Sequence, residues 1–167
     1  MSRDLDDLQQ YSRRNNLRIF GIPEKSDEQT DQLVCGVAEK IGVRITAQDI
    51  DRSHRVGKRI QQSTQGDSYA HAARNGQRSQ PRPIIVKLIS YKSKIAFIKS
   101  RRKLKGSGIV VAEDLTKKNA SLLSQTLRSE KVQTAWSTDG RIFALIKTTS
   151  GKEMKKIITS AAALSNL

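Results

Sequence analysis

Three arginines and one phenylalanine lie close together in the segment YSRRNNLRIFGIPE, which runs from Tyr11 to Glu24. Arg13 and Arg14 precede a short alternating stretch whose Arg18 and Phe20 can share one outward face of a strand. Guanidinium groups bind phosphates through a fork of donors, and an exposed ring stacks on unpaired bases. The pattern therefore favours a surface for single-stranded nucleic acid; an ordinary half-buried strand with a solvated arginine is the alternative.

Further basic residues stand at the ends of predicted elements. Arg55 is expected to end the second strand at the binding surface, and Lys87 to point outward from the third. Arg101, Arg102 and Lys105 precede a glycine turn, where a mobile basic edge could clamp a nucleic-acid strand. A solvated helix end is the alternative interpretation of this last group.

Carboxylates that could support catalysis are few. Asp49 and Asp51 are two residues apart on a predicted strand with His54 nearby, whereas Glu113 and Asp114 are adjacent and should point apart. A metal-dependent nuclease needs convergent carboxylates, and the sequence shows no nucleophile elbow, phosphate loop or HExxH pattern. We therefore expect no enzyme and no catalytic residue, and His54 is expected to be structural.

The charge of the chain points to a polyanionic partner. Its 167 residues carry a formal net charge of +15 and have a pI near 10.3. Eleven Lys and Arg and no Asp or Glu lie between Ser68 and Ala112, while acids gather between Asp4 and Asp51. The basic charge is therefore predicted to form a patch.

Other function classes find little support in the composition. The single cysteine, Cys35, allows neither a disulfide nor a Cys/His zinc cluster within the chain, so no metal or cofactor is predicted. No apolar run approaches the length of a membrane span, and the acidic, polar start does not resemble a signal peptide. A reducing intracellular compartment is the expectation.

Periodicity predicts an α+β protein. Residues 1–14 form a helical stub, with Leu5, Leu8 and Ser12 spaced like a heptad seam; the stub is either the end of a coiled coil or a frayed leader. The elements that follow are a strand over Leu17–Ile22, a helix around Leu33–Ile41, a strand near Ile50–Val56, a flexible loop over 58–81, a strand over Arg82–Ser90, a helix over Tyr91–Leu104 with Lys94 and Lys99 outward, and a strand over Ile109–Ala112. This order matches a split βαβ, ferredoxin-like or RRM-like sandwich.

A second, smaller α/β unit is predicted after the sandwich. A helix over Leu115–Leu127 is followed by strands at Val132–Trp136 and Arg141–Lys147, joined across the turn pair Asp139-Gly140. Ser150 and Glu153 then suggest a helix start, and Met154, Ile157, Ile158 and Ala161 follow at helical spacing. The predicted order is αββα.

Four blocks of sequence resemble the first-open-reading-frame protein of LINE-type (non-LTR) retrotransposons, a family sometimes labelled LINE-one transposase. They are RRNNLRIFGIPE at 13–24, DIDRSHRVGK at 49–58, RPIIVKLISYKSK at 82–94 and LKGSGIVVAEDLT at 104–116. The later segment AWSTDGRIF at 135–143 agrees as well. The resemblance covers roughly Leu8 to Ile158.

The resemblance implies a domain plan and an activity. It implies the end of a coiled coil at 1–14, an RRM-like domain over 15–113 and a C-terminal α/β domain over 114–167. A longer upstream coiled coil makes homotrimers in the family, and most of it is missing here. The implied activity is binding of single-stranded RNA and DNA with nucleic-acid chaperone behaviour, in ribonucleoprotein particles of the cytoplasm or the nucleus, without transposase catalysis.

The resemblance also implies roles for individual residues. Arg13, Arg14 and Arg18 match the family's basic arm and first strand, where they would contact phosphates. A conventional RRM carries an aromatic residue where Arg18 stands, and the third strand here has none, so phosphate contacts should dominate and sequence preference should be low. Arg141 matches a basic position of the C-terminal domain. With Lys147 it could close a cleft between the domains. Trp136 either lines this cleft or is packed in a core.

Two other binding functions stay open at this point. The chain could be a truncated or host-derived copy that acts as a general RNA-binding or assembly protein. It could also be an RRM-like fold that binds only proteins through its helices, although the acid-free stretch argues against this.

Overall fold

The computed structural model describes residues 3–58, 80–147 and 151–165, which form an α+β fold with two antiparallel sheets. Its helices are α1 (Arg3–Ser12), α2 (Thr30–Lys40), α3 (Tyr91–Ser100), α4 (Lys117–Arg128) and α5 (Ala161–Ser165), with 3-10 turns at Ala47–Asp49 and Arg101–Leu104. Its strands are β1 (Asn16–Phe20), β2 (Ile50–Arg55), β3 (Ile84–Leu88), β4 (Val110–Glu113), β5 (Val132–Thr138), β6 (Arg141–Lys147) and β7 (Glu153–Ile158). Residues 59–79, most of the predicted loop over 58–81, lie outside the described ranges.

The first sheet has the order β2-β3-β1-β4, and every pair of neighbours is antiparallel. Alternation along β1 confirms the predicted orientation, because Leu17 and Ile19 are fully buried whereas Phe20 is 38% exposed. The buried face packs against α2 and α3 in a mostly aliphatic core that includes Val34 and one aromatic residue, Phe97. One face of the sheet is therefore covered by these two helices, and Arg18 and Phe20 lie on the other, which we call the outer face of the first sheet.

The second sheet has the order β5-β6-β7. Asp139 and Gly140 both have positive φ, 50° and 78°, which confirms the hairpin turn predicted from this pair. Helix α4 contributes Leu122 to a small separate core with Ile142 and Ile158, and Leu164 of α5 packs against the same core. Both helices therefore cover one face of this sheet.

The prediction of a helix around Met154–Ala161 is wrong. Residues Glu153–Ile158 form β7, paired antiparallel with β6 from Lys147↔Glu153 to Ile142↔Ile158. Met154 and Ile157 are 46% and 53% exposed, so their spacing did not mark a buried helix face. Pairing with the free edge of β6 decides the conformation, and only the short α5 follows. The second unit is αβββα, and Ser150 of the supposed cap lies outside the described residues.

Helix α1 packs against the second unit through its polar side. The Gln10 side chain donates to the Asp114 carbonyl oxygen at 3.1 Å and accepts from the Thr116 backbone N–H at 2.8 Å. A Cβ added at Gly140 would lie 2.2 Å from Cγ of Gln10, so this contact requires glycine. Leu5 and Leu8 are 44% and 65% exposed, which leaves the predicted seam facing solvent.

Candidate nucleic-acid interface

Basic side chains from three strands share the outer face of the first sheet. The register places Arg18 opposite Ile85 and Arg52 opposite Lys87, so the three cations lie on the face away from the helices. Lys87 points outward as predicted, with Nζ 3.3 Å from an exposed Asp51 oxygen, a pair that solvent screens strongly. The sequence pattern did not identify Arg52, because a register shift between Ile50 and Arg52 turns its side chain to the outer face.

Arg18 and Arg13 converge on one buried carboxylate, Asp114, whose side chain is 2% exposed. The Arg18 Nε lies 2.7 Å and the Arg13 guanidinium 3.4 Å from the same Asp114 oxygen, and Asn16 donates to the other oxygen at 3.1 Å. One negative charge therefore orients two guanidinium groups, and the cluster keeps a positive balance at the surface.

Arg14, the third arginine of the predicted arm, points elsewhere. Its guanidinium carbon lies 4.1 Å from the centre of the Tyr11 ring, and both side chains are exposed. This cation–π contact holds Arg14 along α1. It leaves the guanidinium fork open to an approaching phosphate.

The expectation that Arg55 lies at the binding surface is wrong. Arg55 pairs with Ile84 on the helix-covered side of the sheet, and its side chain is 5% exposed. All five of its N–H donors are used: Nε and Nη2 bind Glu28 at 2.7 and 2.9 Å, and the others reach carbonyl oxygens of Ile22, Pro23 and Arg82. Hydrogen bonding by Arg55 holds the pKa of Glu28 below its ordinary value. This side chain joins the ends of three segments and has no donor left for a phosphate.

A groove of about 630 Å³ lies between the outer face of the first sheet and α4, and we call it the sheet–helix groove. Phe20 lies on its sheet side and Leu123 and Leu127 on its helix side. Arg18 and Arg128 are also among its lining residues, with Arg13 and Lys117. Glu113 lines it too, paired with Lys94, so the apolar and basic side chains together suit a ligand that has both flat apolar faces and negative charge.

A second groove of about 650 Å³, the edge groove, lies between the edges of the two sheets. Strand β4 ends the first sheet and β5 ends the second, and both line this groove. Its basic side is formed by Arg101, Arg102 and Lys105, and Trp136 lines it as well. Trp136 is half-buried, so the alternative of a fully packed core role does not hold. Ala112 and Leu123 line both grooves, which therefore adjoin.

The structure does not bring Arg141 and Lys147 to either groove. Arg141 lines a different cavity of about 650 Å³ beside Tyr11 of α1, and Lys147 lies exposed at the far end of β6. Both side chains are on the strand positions that alternate with the buried Ile142 and Ile146. The predicted closure of a cleft by this pair is not observed.

A cluster of the buried Lys94 and Glu113 with the exposed Asp139 and Tyr91 ties the first unit to the hairpin turn of the second. Lys94, expected to face solvent, is 1% exposed, with Nζ 2.5 Å from Glu113 and 2.9 Å from Asp139. Burial alone would lower the pKa of Lys94, but hydrogen bonds to Glu113 and Asp139 outweigh it and raise the pKa above its ordinary value. The second Glu113 oxygen accepts from the Gly140 backbone at 3.3 Å.

The carboxylates considered for catalysis do not converge. Asp49 caps the turn that precedes β2 through Thr46, whose hydrogen bonds hold the pKa of Asp49 below its ordinary value. Glu113 and Asp114 point apart as predicted, toward Lys94 and Arg18. Among the described residues no three His, Cys, Asp or Glu side chains meet in a way that could hold a metal ion. None of the helices in these ranges is long and apolar enough to cross a membrane.

Comparison of the chain with protein-family models finds no matching family. Comparison with curated proteins finds no matching protein.

Proposed function

We propose that this chain binds single-stranded RNA and DNA along the two adjoining grooves and acts as a nucleic-acid chaperone in a retrotransposon ribonucleoprotein. In this proposal it is a member of the LINE first-open-reading-frame family, and its first unit is an RRM-like domain. The strand order β2-β3-β1-β4, antiparallel throughout and covered on one face by α2 and α3, supports the RRM-like assignment.

The observation that carries the proposal is the pairing of cations with an aromatic ring in the edge groove. Arg101, Arg102 and Lys105 line it together with Trp136. A single strand offers phosphates to the cations and an unstacked base to the ring. Glu113 and Asp114 follow the groove-lining Ala112 in the chain, and both are ion-paired, Glu113 with Lys94 and Asp114 with Arg18.

The path of the strand would run from the edge groove into the sheet–helix groove. Ala112 and Leu123 border both, so a strand that follows β4 would pass from one groove to the other. Arg18 and Arg128 would take phosphates there, and Phe20 would take a base. Most contacts in this arrangement go to the backbone, so affinity depends on salt and little on sequence.

Chaperone behaviour follows from many such weak contacts. Each phosphate contact can be released and remade separately, so two strands can exchange places without any covalent step. A truncated or host-derived copy that only binds RNA would use the same grooves. Strand-annealing rates separate the two functions, because a passive binder holds a single strand without speeding its pairing.

Helix α1 supports a further part of the family proposal. Its polar side is fixed by Gln10, while Leu5 and Leu8 stay exposed at heptad spacing. We assign α1 as the end of a coiled coil that makes homotrimers. A protein-only function for the fold would instead need an apolar surface on α2 or α3. Val34 and Phe97 of these helices are buried in the first core, and Tyr91 is 41% exposed at the start of α3.

The test is binding of a fluorescent single-stranded RNA, with annealing of complementary strands measured in parallel. The proposal expects saturable binding that weakens with salt, and faster annealing at protein concentrations near saturation. Absence of binding at low salt would contradict it. Binding without faster annealing would leave the passive RNA-binding protein as the function.

A further inference from the structure

The second sheet carries two stacked rings on the face opposite α4 and α5. Trp136 and Phe143 are cross-strand partners in β5 and β6, with ring centres 5.9 Å apart and planes inclined by 16°. The described helices α4 and α5 pack against the opposite face, through Leu122 and Leu164. The rings therefore lie on the face that these helices leave open.

An exposed lysine on the neighbouring strand β7 covers both rings. Lys155 Nζ lies 4.3 Å from the centre of Phe143 and 5.5 Å from the centre of Trp136. The ammonium is nearer to the centre of the Trp136 ring, at 5.5 Å, than the centre of the Phe143 ring is, at 5.9 Å. It therefore does not lie beyond Phe143 and contacts both rings. A flexible cation thus occupies the surface that a flat ligand would use.

The charge on this face also suits a flat ligand that is negatively charged. Strand alternation puts Arg141, Lys147 and Lys155 on the face of the rings, against the single acid Glu153. Ile157, the β7 partner of Phe143, is 53% exposed beside them. Three cations around half-buried rings complement a polyanion that carries flat bases.

We propose that the Trp136–Phe143 pair is an additional base-binding subsite for the strand that occupies the edge groove. Trp136 belongs to both surfaces, so a strand that leaves the groove passes directly onto the ring pair. An unpaired base takes the place of the Lys155 ammonium on the rings, and the ammonium moves to the phosphate of the same nucleotide. This inference rests on the proposed single-strand binding and adds to it a longer footprint.

Length dependence tests the subsite. Oligouridines of about 4 to 16 nucleotides, the span of known single-strand site sizes, are titrated against the protein. Trp136 is the only tryptophan of the chain, so its fluorescence reports stacking directly. The variants are Phe143→Leu, which keeps an apolar side chain, and Lys155→Glu. Lys40→Glu is the matched control, since Lys40 is exposed on α2 and lines neither groove.

The subsite predicts a loss of affinity that grows with strand length. Phe143→Leu and Lys155→Glu should weaken the longest strands by about five-fold or more, the lower end of what one stacked base contributes. The shortest strands, held in the edge groove, should lose less affinity, because they reach Trp136 but do not extend over Phe143. A strand of equal length with abasic sugars should not distinguish Phe143→Leu from wild type, because it has phosphates but no bases.

Two results would overturn the inference in different ways. If both folded variants bind long oligouridine as wild type does, the ring pair takes no base although the groove still binds. If wild type itself binds no strand of any length, the proposed function fails and the subsite fails with it. Should Phe143→Leu not fold, the comparison of Lys155→Glu with Lys40→Glu decides alone.

Discussion

Lys94 Nζ lies 2.5 Å from a Glu113 oxygen in the interior, and both side chains are almost wholly buried, at 2% and 4% exposure. Lys94 belongs to α3 and Glu113 ends β4, while the same carboxylate accepts from the Asp139 backbone at 2.8 Å. A buried ion pair thus holds the hairpin turn of the second sheet against the first unit. The edge groove lies between these two sheets, so the ion pair helps to fix the width of the groove.

Removing one member of the pair should destabilise the protein strongly. Glu113→Ala leaves the Lys94 ammonium buried with only the half-exposed Asp139 as counter-charge. We expect a loss of about 3 to 5 kcal/mol in the free energy of unfolding, measured by urea denaturation. The double variant Lys94→Met with Glu113→Leu, which removes both charges, should recover part of the loss. A stable single variant would show that the pair is not needed.

Acid should weaken the Lys94 cluster through Asp139. Burial would raise the pKa of Asp139, but hydrogen bonds from Tyr91 and Lys94 prevail and lower it. The stabilisation is therefore present above the unfolded-state pKa of about 3.9 and is lost as pH falls through the lower folded pKa. Asp139→Asn, which tolerates the positive φ of 50°, should flatten the acid limb of unfolding free energy against pH. An unchanged acid limb in this variant would contradict the prediction.

Arg55 should matter for stability and not for nucleic-acid binding. Arg55→Ala removes a buried ion pair to Glu28 and three carbonyl contacts, so we expect a loss of about 3 kcal/mol or more in unfolding free energy. The folded protein should bind single-stranded RNA with wild-type affinity in an anisotropy titration below its unfolding temperature. A folded Arg55→Ala protein with weakened RNA binding would contradict this prediction and show that Arg55 contributes to the interface.

Asp114→Asn should strengthen nucleic-acid binding. The change removes the carboxylate that engages Arg18 and Arg13, so both guanidinium groups become available at the sheet–helix groove. If one more phosphate is contacted, the log–log salt slope should steepen by about 0.7. Asp27→Asn, an exposed acid outside both grooves, is the matched control for the change in net charge. Equal slopes in the two variants would show that Asp114 does not restrain the arginines.

Local patterns predicted the parts of the fold that depend on neighbouring residues. The alternation of Leu17 and Ile19 with Arg18 and Phe20 follows from the strand period of two, and Asp139-Gly140 specifies its turn through positive φ. The outward orientation of Lys87 followed from the same period. Each of these features is decided within a few residues of chain.

Contacts between distant segments decided the rest. Arg55 and Lys94 are buried because Glu28 and Glu113 lie opposite them in space, which spacing along the chain does not show. Arg18 meets its acid 96 residues later in the sequence. The sequence around Met154 allows either a helix or a strand, and the unpaired edge of β6 selects the strand.

The salt dependence of RNA binding by the double variant Arg101→Ala with Arg102→Ala tests most directly whether the edge groove binds single-stranded RNA. Lys40→Ala with Arg44→Ala, two exposed cations that line neither groove, removes the same charge as a control. If both groove arginines contact phosphates, the log–log slope for single-stranded RNA should become shallower by about 1.4 only in the groove variant. An equal slope and affinity in the two folded double variants would contradict binding in the edge groove.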